Sequence, residues 1–186
     1  MISRFILKIW GWKIVGTIPN DVPKKLYVVV PHTSNWDFPI GILLKFGYNM
    51  GVGFIAKDSL FKFPHGWIFR ALGGIAVNRK KTQGFIEAVV ETIKKNDRFC
   101  TAIAPEGTRK KVKKLKKGFY FIARGAEIPI VYVKFNWGTK ELEFDKPHFA
   151  ADTIDEELEN LNSYFAGVKG KIPEWSWAPE INQSTK

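Results

Sequence analysis

Cysteine is nearly absent: of 186 residues only Cys100 carries a thiol. No internal disulfide can form, and the composition fits a reducing compartment. Histidine is also scarce, at three residues. Two of these, His65 and His148, follow prolines in expected loops, and no ligand spacing supports a metal site. No uninterrupted apolar run approaches the roughly 20 residues of a spanning helix, so the chain is not expected to cross a membrane. No small-residue cleavage site follows the apolar N-terminal segment, which argues against a signal peptide. Internal repeats and linkers are missing, and one domain is expected. Acidic residues are in deficit, 18 against 29 Lys and Arg, for a formal charge of +11. That balance favours an anionic partner: a phosphate compound, an acidic protein, anionic lipid or nucleic acid.

What is present is apolar and aromatic. Hydrophobic residues make up 45% and aromatics 15% of the chain, which excludes disorder and suffices for a core. In residues 1–16, Ile2, Phe5, Ile6, Ile9 and Trp10 fall at helical spacing opposite Arg4 and Lys8. This segment reads as an amphipathic helix suited to a membrane surface. The body follows over 17–170, with a tail at 171–186. Leu26–Val30, Val52–Ala56, Gly73–Arg79 and Phe99–Ala104 are expected strands. Helices are expected after Ser34 or Asn35 as N-cap, after Thr82, and from Phe119 to about Arg124. Two further strands, Ile128–Phe135 and Glu141–Phe144, precede a final helix opened by the capping box at Thr153–Glu156 and ending near Phe165.

Strands alternating with helices predict an α/β fold with a mostly parallel central sheet flanked by helices. Ligands bind such sheets outside the carboxyl ends of the strands. His32, Lys57, Arg79 and the loop Glu106–Arg109 all follow strands, so they gather at one edge. His32 and Asp37 lie five positions apart across a strand-to-helix turn. A carboxylate folded back onto the imidazole fixes its tautomer and leaves the other nitrogen free to take a proton. In Pro105–Arg109, Gly107 lets backbone amides approach an anion, Thr108 offers a hydroxyl and Arg109 a bidentate fork. Arg79 is a second fork. Glu106 is the odd member: a carboxylate in an anion site must hold an arginine or accept from a substrate hydroxyl. The lysines between Lys110 and Lys117 form a basic run. Cys100, inside a strand, reads as a structural thiol, and Ser34 lacks the G-x-S-x-G elbow of a nucleophile.

Together, His32–Asp37, Gly73–Arg79, Pro105–Arg109 and Ile128–Val131 resemble, in order and spacing, the blocks of the lysophospholipid acyltransferase family. The resemblance spans roughly residues 27–133 and includes the H-x4-D and P-E-G-T-R motifs. Pro31, Ala104 and Tyr132 depart from common family residues and leave the catalytic pair intact. The resemblance implies a glycerolipid-acyltransferase-like fold and transfer of a fatty acyl group from acyl-CoA or acyl carrier protein to a hydroxyl of a lysophospholipid. The default acceptor is 1-acylglycerol-3-phosphate. His32 would be the general base, Asp37 its orienter, and Arg79, Glu106, Gly107, Thr108 and Arg109 the substrate-binding set. No metal or cofactor beyond the co-substrate is implied. The protein would work peripherally at the cytoplasmic face of a membrane, the basic run facing anionic headgroups, donor phosphates or an acidic carrier. Phe61, Phe63, Trp67 and Phe69 would line an acyl groove, pack in the core or face lipid. The same chemistry on another lysolipid, such as a lyso-aminolipid, is the near alternative. A basic nucleic-acid-binding module is the distant one, and it fits poorly because the aromatics do not interleave with the basic run.

Overall fold

A computed structural model of the chain describes residues 2–77 and 82–178. In chain order the elements are α1 (Ile2–Ile9), β1 (Lys13–Gly16), β2 (Lys24–Val30), α2 (Asp37–Gly47), β3 (Val52–Lys57), α3 (Gly66–Ala71), β4 (Gly74–Val77), α4 (Thr82–Lys95), β5 (Phe99–Ile103), α5 (Gly118–Ala126), β6 (Ile130–Asn136), β7 (Glu141–Phe144) and α6 (Ile154–Phe165). Short 3₁₀ turns cover Asp58–Phe61 and Pro173–Trp175.

The seven strands form one sheet in the order β1-β7-β6-β2-β5-β3-β4. β2 is its centre, parallel to β5 on one side and β6 on the other. From Leu26 to Val30 its sequence LYVVV is apolar without alternation because helices cover both faces of the sheet. Leu26, Val28 and Val30 pack on one face with Val89, Ile93, Phe119, Ile122, Leu161 and Phe165 of α4, α5 and α6. Tyr27 packs on the other with Leu7 of α1, Ile40 and Leu44 of α2, and Val131, Val133 and Phe135 of β6. Phe54 of β3 touches both Phe38 of α2 and Phe69 of α3, so α3 shares the α1–α2 face.

The expected mostly parallel α/β architecture is therefore present, with two differences at one edge. β7 is antiparallel to β6. Only four residues separate the two strands, too few for a crossover, and the Asn136 side chain closes the turn on the amides of Gly138 and Thr139. The N-terminal helix, expected to run to residue 16, ends at Ile9. Lys13–Gly16 instead pairs in parallel with β7, because the exposed edge of β7 offers hydrogen bonds that an isolated helical turn lacks. The third expected strand is shorter than anticipated, and Arg79 lies outside the described residues.

α1 buries Leu7 and leaves Ile2, Phe5 and Ile9 exposed. No helix among the described residues is long and apolar enough to cross a membrane. At the far side of the sheet, α6 is pinned by Glu157, which is fully buried. Glu157 accepts from the Tyr132 hydroxyl and, at 2.9 Å, from the Ala151 amide, and it faces Nε2 of His148 at 3.6 Å. Thr153 caps this helix as its capping box predicts, accepting from Glu156 N at 3.2 Å.

Candidate active site

β2, β5 and β6 run parallel side by side, so their carboxyl ends reach one edge of the sheet together. The segment after β2 lies between those that follow β5 and β6. Its centre is His32, whose ring Nδ1 stands 2.9 Å from Asp37 Oδ2. Asp37 is the first residue of α2, where a carboxylate is favoured by the helix dipole. Neither Ser34 nor Asn35 caps that helix: Trp36 is at the N-cap without a side-chain bond, and Ser34 Oγ accepts from Trp36 N instead. The Asp37 carboxylate turns back to the loop, taking the Ser34 amide at 3.0 Å on Oδ2 and the Trp137 indole N–H at 2.7 Å on Oδ1.

Asp37 is 4% exposed, whereas the His32 side chain is 31% exposed. The Asp37 carboxylate is thus shielded and the imidazole reaches the surface. Nε2 has no partner among the described residues, which is the arrangement a proton acceptor needs.

Glu106 is the next neighbour. Its Oε1 accepts the His32 main-chain N–H at 2.9 Å, while the residue is only 3% exposed. Oε2 is buried with no partner among the described residues. Burial raises the carboxyl above its ordinary range, against the lowering effect of the amide bond to His32. In this arrangement Glu106 braces the His32 loop rather than facing outward. Gly107 adopts φ +62°, and a Cβ there would run into the Lys116 side chain. Its amide donates to Ala104 O at 3.0 Å, so it closes a turn and is not free for an anion. Thr108 and Arg109 are exposed. Thr108 Oγ1 accepts from Lys110 N at 3.3 Å, and an Arg109 guanidinium N–H donates to Asn35 Oδ1. Arg109 is thereby tied to the loop between His32 and Asp37.

The basic run is held rather than loose. Leu115 is buried, and Val112 packs beside it against the α4–α5 core, leaving Lys110, Lys111, Lys113, Lys114, Lys116 and Lys117 outward. Cys100 sits in β5, where burial pushes its thiol up to about 11 while Lys25 and Lys45 pull the other way. That suits a structural thiol and not a nucleophile.

The arrangement holds two groups that the motif reading missed. Trp137 follows β6 and binds Asp37 across 100 positions. Lys171, in the segment read as a tail, places Nζ 4.5 Å from the Trp36 ring centre and 4.9 Å from that of Trp137. Neither belongs to a local pattern, so only the fold brings them in.

The site thus combines a shielded carboxylate behind a surface imidazole with an arginine tethered to the same loop from the neighbouring one, at the carboxyl edge of parallel strands. Residues 14–135 match the Acyltransferase family. With more than half of the chain matched, this protein belongs to that family. It is similar to a probable 1-acyl-sn-glycerol-3-phosphate acyltransferase of Mycoplasma pneumoniae, 33% identical over 144 residues, covering 70% of this chain and 52% of the relative. The chain thus spans about half the length of that relative.

Proposed function

We propose that this protein is an O-acyltransferase that moves a fatty acyl group from an acyl thioester, acyl-CoA or acyl carrier protein, to the free hydroxyl of a lysophospholipid. The default acceptor is 1-acylglycerol-3-phosphate, by analogy with the name of the Mycoplasma pneumoniae relative. The observation that carries the reading is the His32–Asp37 pair, bonded at 2.9 Å with its second ring nitrogen unengaged among the described residues.

In this reading Asp37 holds the proton on Nδ1, and Nε2 takes the proton of the acceptor hydroxyl as its oxygen attacks the thioester carbonyl. The C–S bond then breaks, and the imidazolium returns the proton to the departing thiolate. No acyl-enzyme forms. The Asp37 charge stabilises the transient imidazolium, and the shielded carboxylate makes that stabilisation larger than it would be in water. Arg109, exposed and already tethered through Asn35, binds the acceptor phosphate with the help of Thr108; Arg79, outside the described residues, is assigned to the same phosphate from its motif alone. The outward lysines after Arg109 supply a positive field for the donor's phosphates, an acidic carrier or anionic headgroups. The exposed Ile2, Phe5 and Ile9 of α1 rest on the cytoplasmic face of a membrane, which supplies the lipid substrate.

The test is thiol release from long-chain acyl-CoA with and without lysophosphatidic acid, with the lipid product identified by mass. Acceptor-dependent release is expected, and His32→Ala should lower it by about 10²–10⁴ with unchanged circular dichroism. Full activity in that variant would refute the base. Retained activity on a phosphate-free acceptor would favour another lysolipid, and release without acceptor would indicate a thioesterase.

A further inference from the structure

Only one oxygen of Asp37 meets His32. Oδ2 is shared between the His32 ring and the Ser34 amide, while Oδ1 takes the Trp137 indole N–H at 2.7 Å. A carboxylate turns about its Cβ–Cγ bond with little resistance, and its plane decides where Oδ2 meets the imidazole. A donor fixed on Oδ1 therefore sets the aim of the ring beyond it.

Trp137 is itself held on several sides. Its main-chain N–H donates to Lys169 O at 2.8 Å. Its ring stacks along Phe135 at 6.2 Å and 15° and meets the edge of Trp12 at 4.9 Å. The Lys171 ammonium stands between this indole and that of Trp36, a cation shared by two aromatic faces. The same segment reaches the catalytic loop directly. Ile172 N donates to Thr33 Oγ1 at 3.1 Å, and Gly170 approaches so closely that a Cβ would collide with the Thr33 side chain. Residues 169–172 thus bind the turn carrying Trp137 and the loop carrying His32 into one unit. Trp137 and residues 169–172 themselves lie beyond residue 135, where the family match ends.

We infer that Trp137 is a positioning residue for the His32–Asp37 pair, and that the segment 169–172 is the strap that holds it there. This rests on the reading of His32 as the base. Trp137 touches no reacting atom; it acts through the plane of the Asp37 carboxylate.

The decisive variant is Trp137→Phe, which keeps an aromatic ring in the packing and removes only the N–H. In the acyl-CoA assay kcat should fall about 10- to 100-fold, the usual scale for a slightly misplaced catalytic group, with both KM values within about twofold and the melting temperature near that of wild type. In an Asp37→Ala background the same substitution should lower kcat no further, because the carboxylate it acts on is gone. A purely structural role would lower both backgrounds by the same factor. As a readout independent of turnover, the indole N–H resonance of Trp137, identified by its loss in Trp137→Phe, should move upfield in Asp37→Ala. Wild-type kcat in Trp137→Phe, an equal loss in both backgrounds, or an unmoved resonance would overturn the inference. His32→Ala separates the two levels: if it is inactive while Trp137→Phe is normal, the base stands and the positioning role falls.

Discussion

Glu106 illustrates how the place of a residue in the chain does not disclose the direction of its side chain. It follows β5 as the motif requires, yet its carboxyl turns inward to the His32 amide. Burial raises that carboxyl above its ordinary 4.5, so folding favours the protonated form. Its stabilising contribution is full below that value and is lost as pH rises through the folded value. Glu106→Gln keeps an acceptor for the His32 N–H and carries no charge at any pH. As pH rises above 4.5, the melting temperature of this variant should therefore gain on that of wild type. Parallel melting curves for the two proteins would reveal a buried carboxylate kept ionised by an unseen partner. Thr108 and Arg109 are the residues of the motif that point outward, and the proposed phosphate binding rests on them.

At the scale of elements, α6 depends on a pair of opposite pH sensitivities. Burial alone would lower the His148 value, but the bond to Glu157 raises it above its ordinary 6.5. Burial alone would raise Glu157, but His148, Tyr132 and the Ala151 amide together hold it below its ordinary 4.5. The histidine contribution is complete below 6.5 and fades as pH rises; the carboxylate contribution is complete above 4.5 and fades as pH falls. Relative to His148→Gln, the wild type should melt highest between those values and lose its advantage as pH rises above 6.5. A pH-independent difference in calorimetry would exclude the charged pair. Such a contact is invisible locally, since it joins β6, the segment before α6, and α6 itself. The elements that were legible are those with strong local signals: the unbroken run of β2, the His32–Asp37 spacing, and the capping box of α6. The illegible ones depend on distant partners. β1 is a four-residue strand with no buried side chain, and only the edge of β7 makes it a strand. Arg109 meets Asn35 across 74 positions, and no pattern in the sequence announces that meeting.

For the molecule as a whole, the exposed apolar side chains are unevenly placed. Ile2, Phe5 and Ile9 of α1, Phe38 and Phe46 of α2, and Trp67 and Ile68 of α3 all belong to helices on one face of the sheet, and all are exposed. Leu7 of α1 and Trp12 just beyond it belong to the core beneath, so removing the N-terminal segment would confound binding with folding. Phe5→Ser with Ile9→Ser is cleaner, because both side chains are more than 60% exposed. This double variant should lose at least about tenfold in affinity for anionic vesicles, given roughly 1.5–3 kcal/mol per fully transferred side chain, while its melting temperature stays put. Added salt should weaken the remaining binding through the +11 charge. Unchanged co-sedimentation with liposomes would remove α1 from any membrane role. The strap at residues 169–172 has a further consequence in time. During synthesis the chain exposes His32, Asp37 and Arg109 long before Trp137, and Trp137 long before Ile172. A growing chain that has already emerged past the family motifs still lacks the last contacts to Thr33 and Trp36, so the finished geometry of the site appears only after Ile172 has left the ribosome.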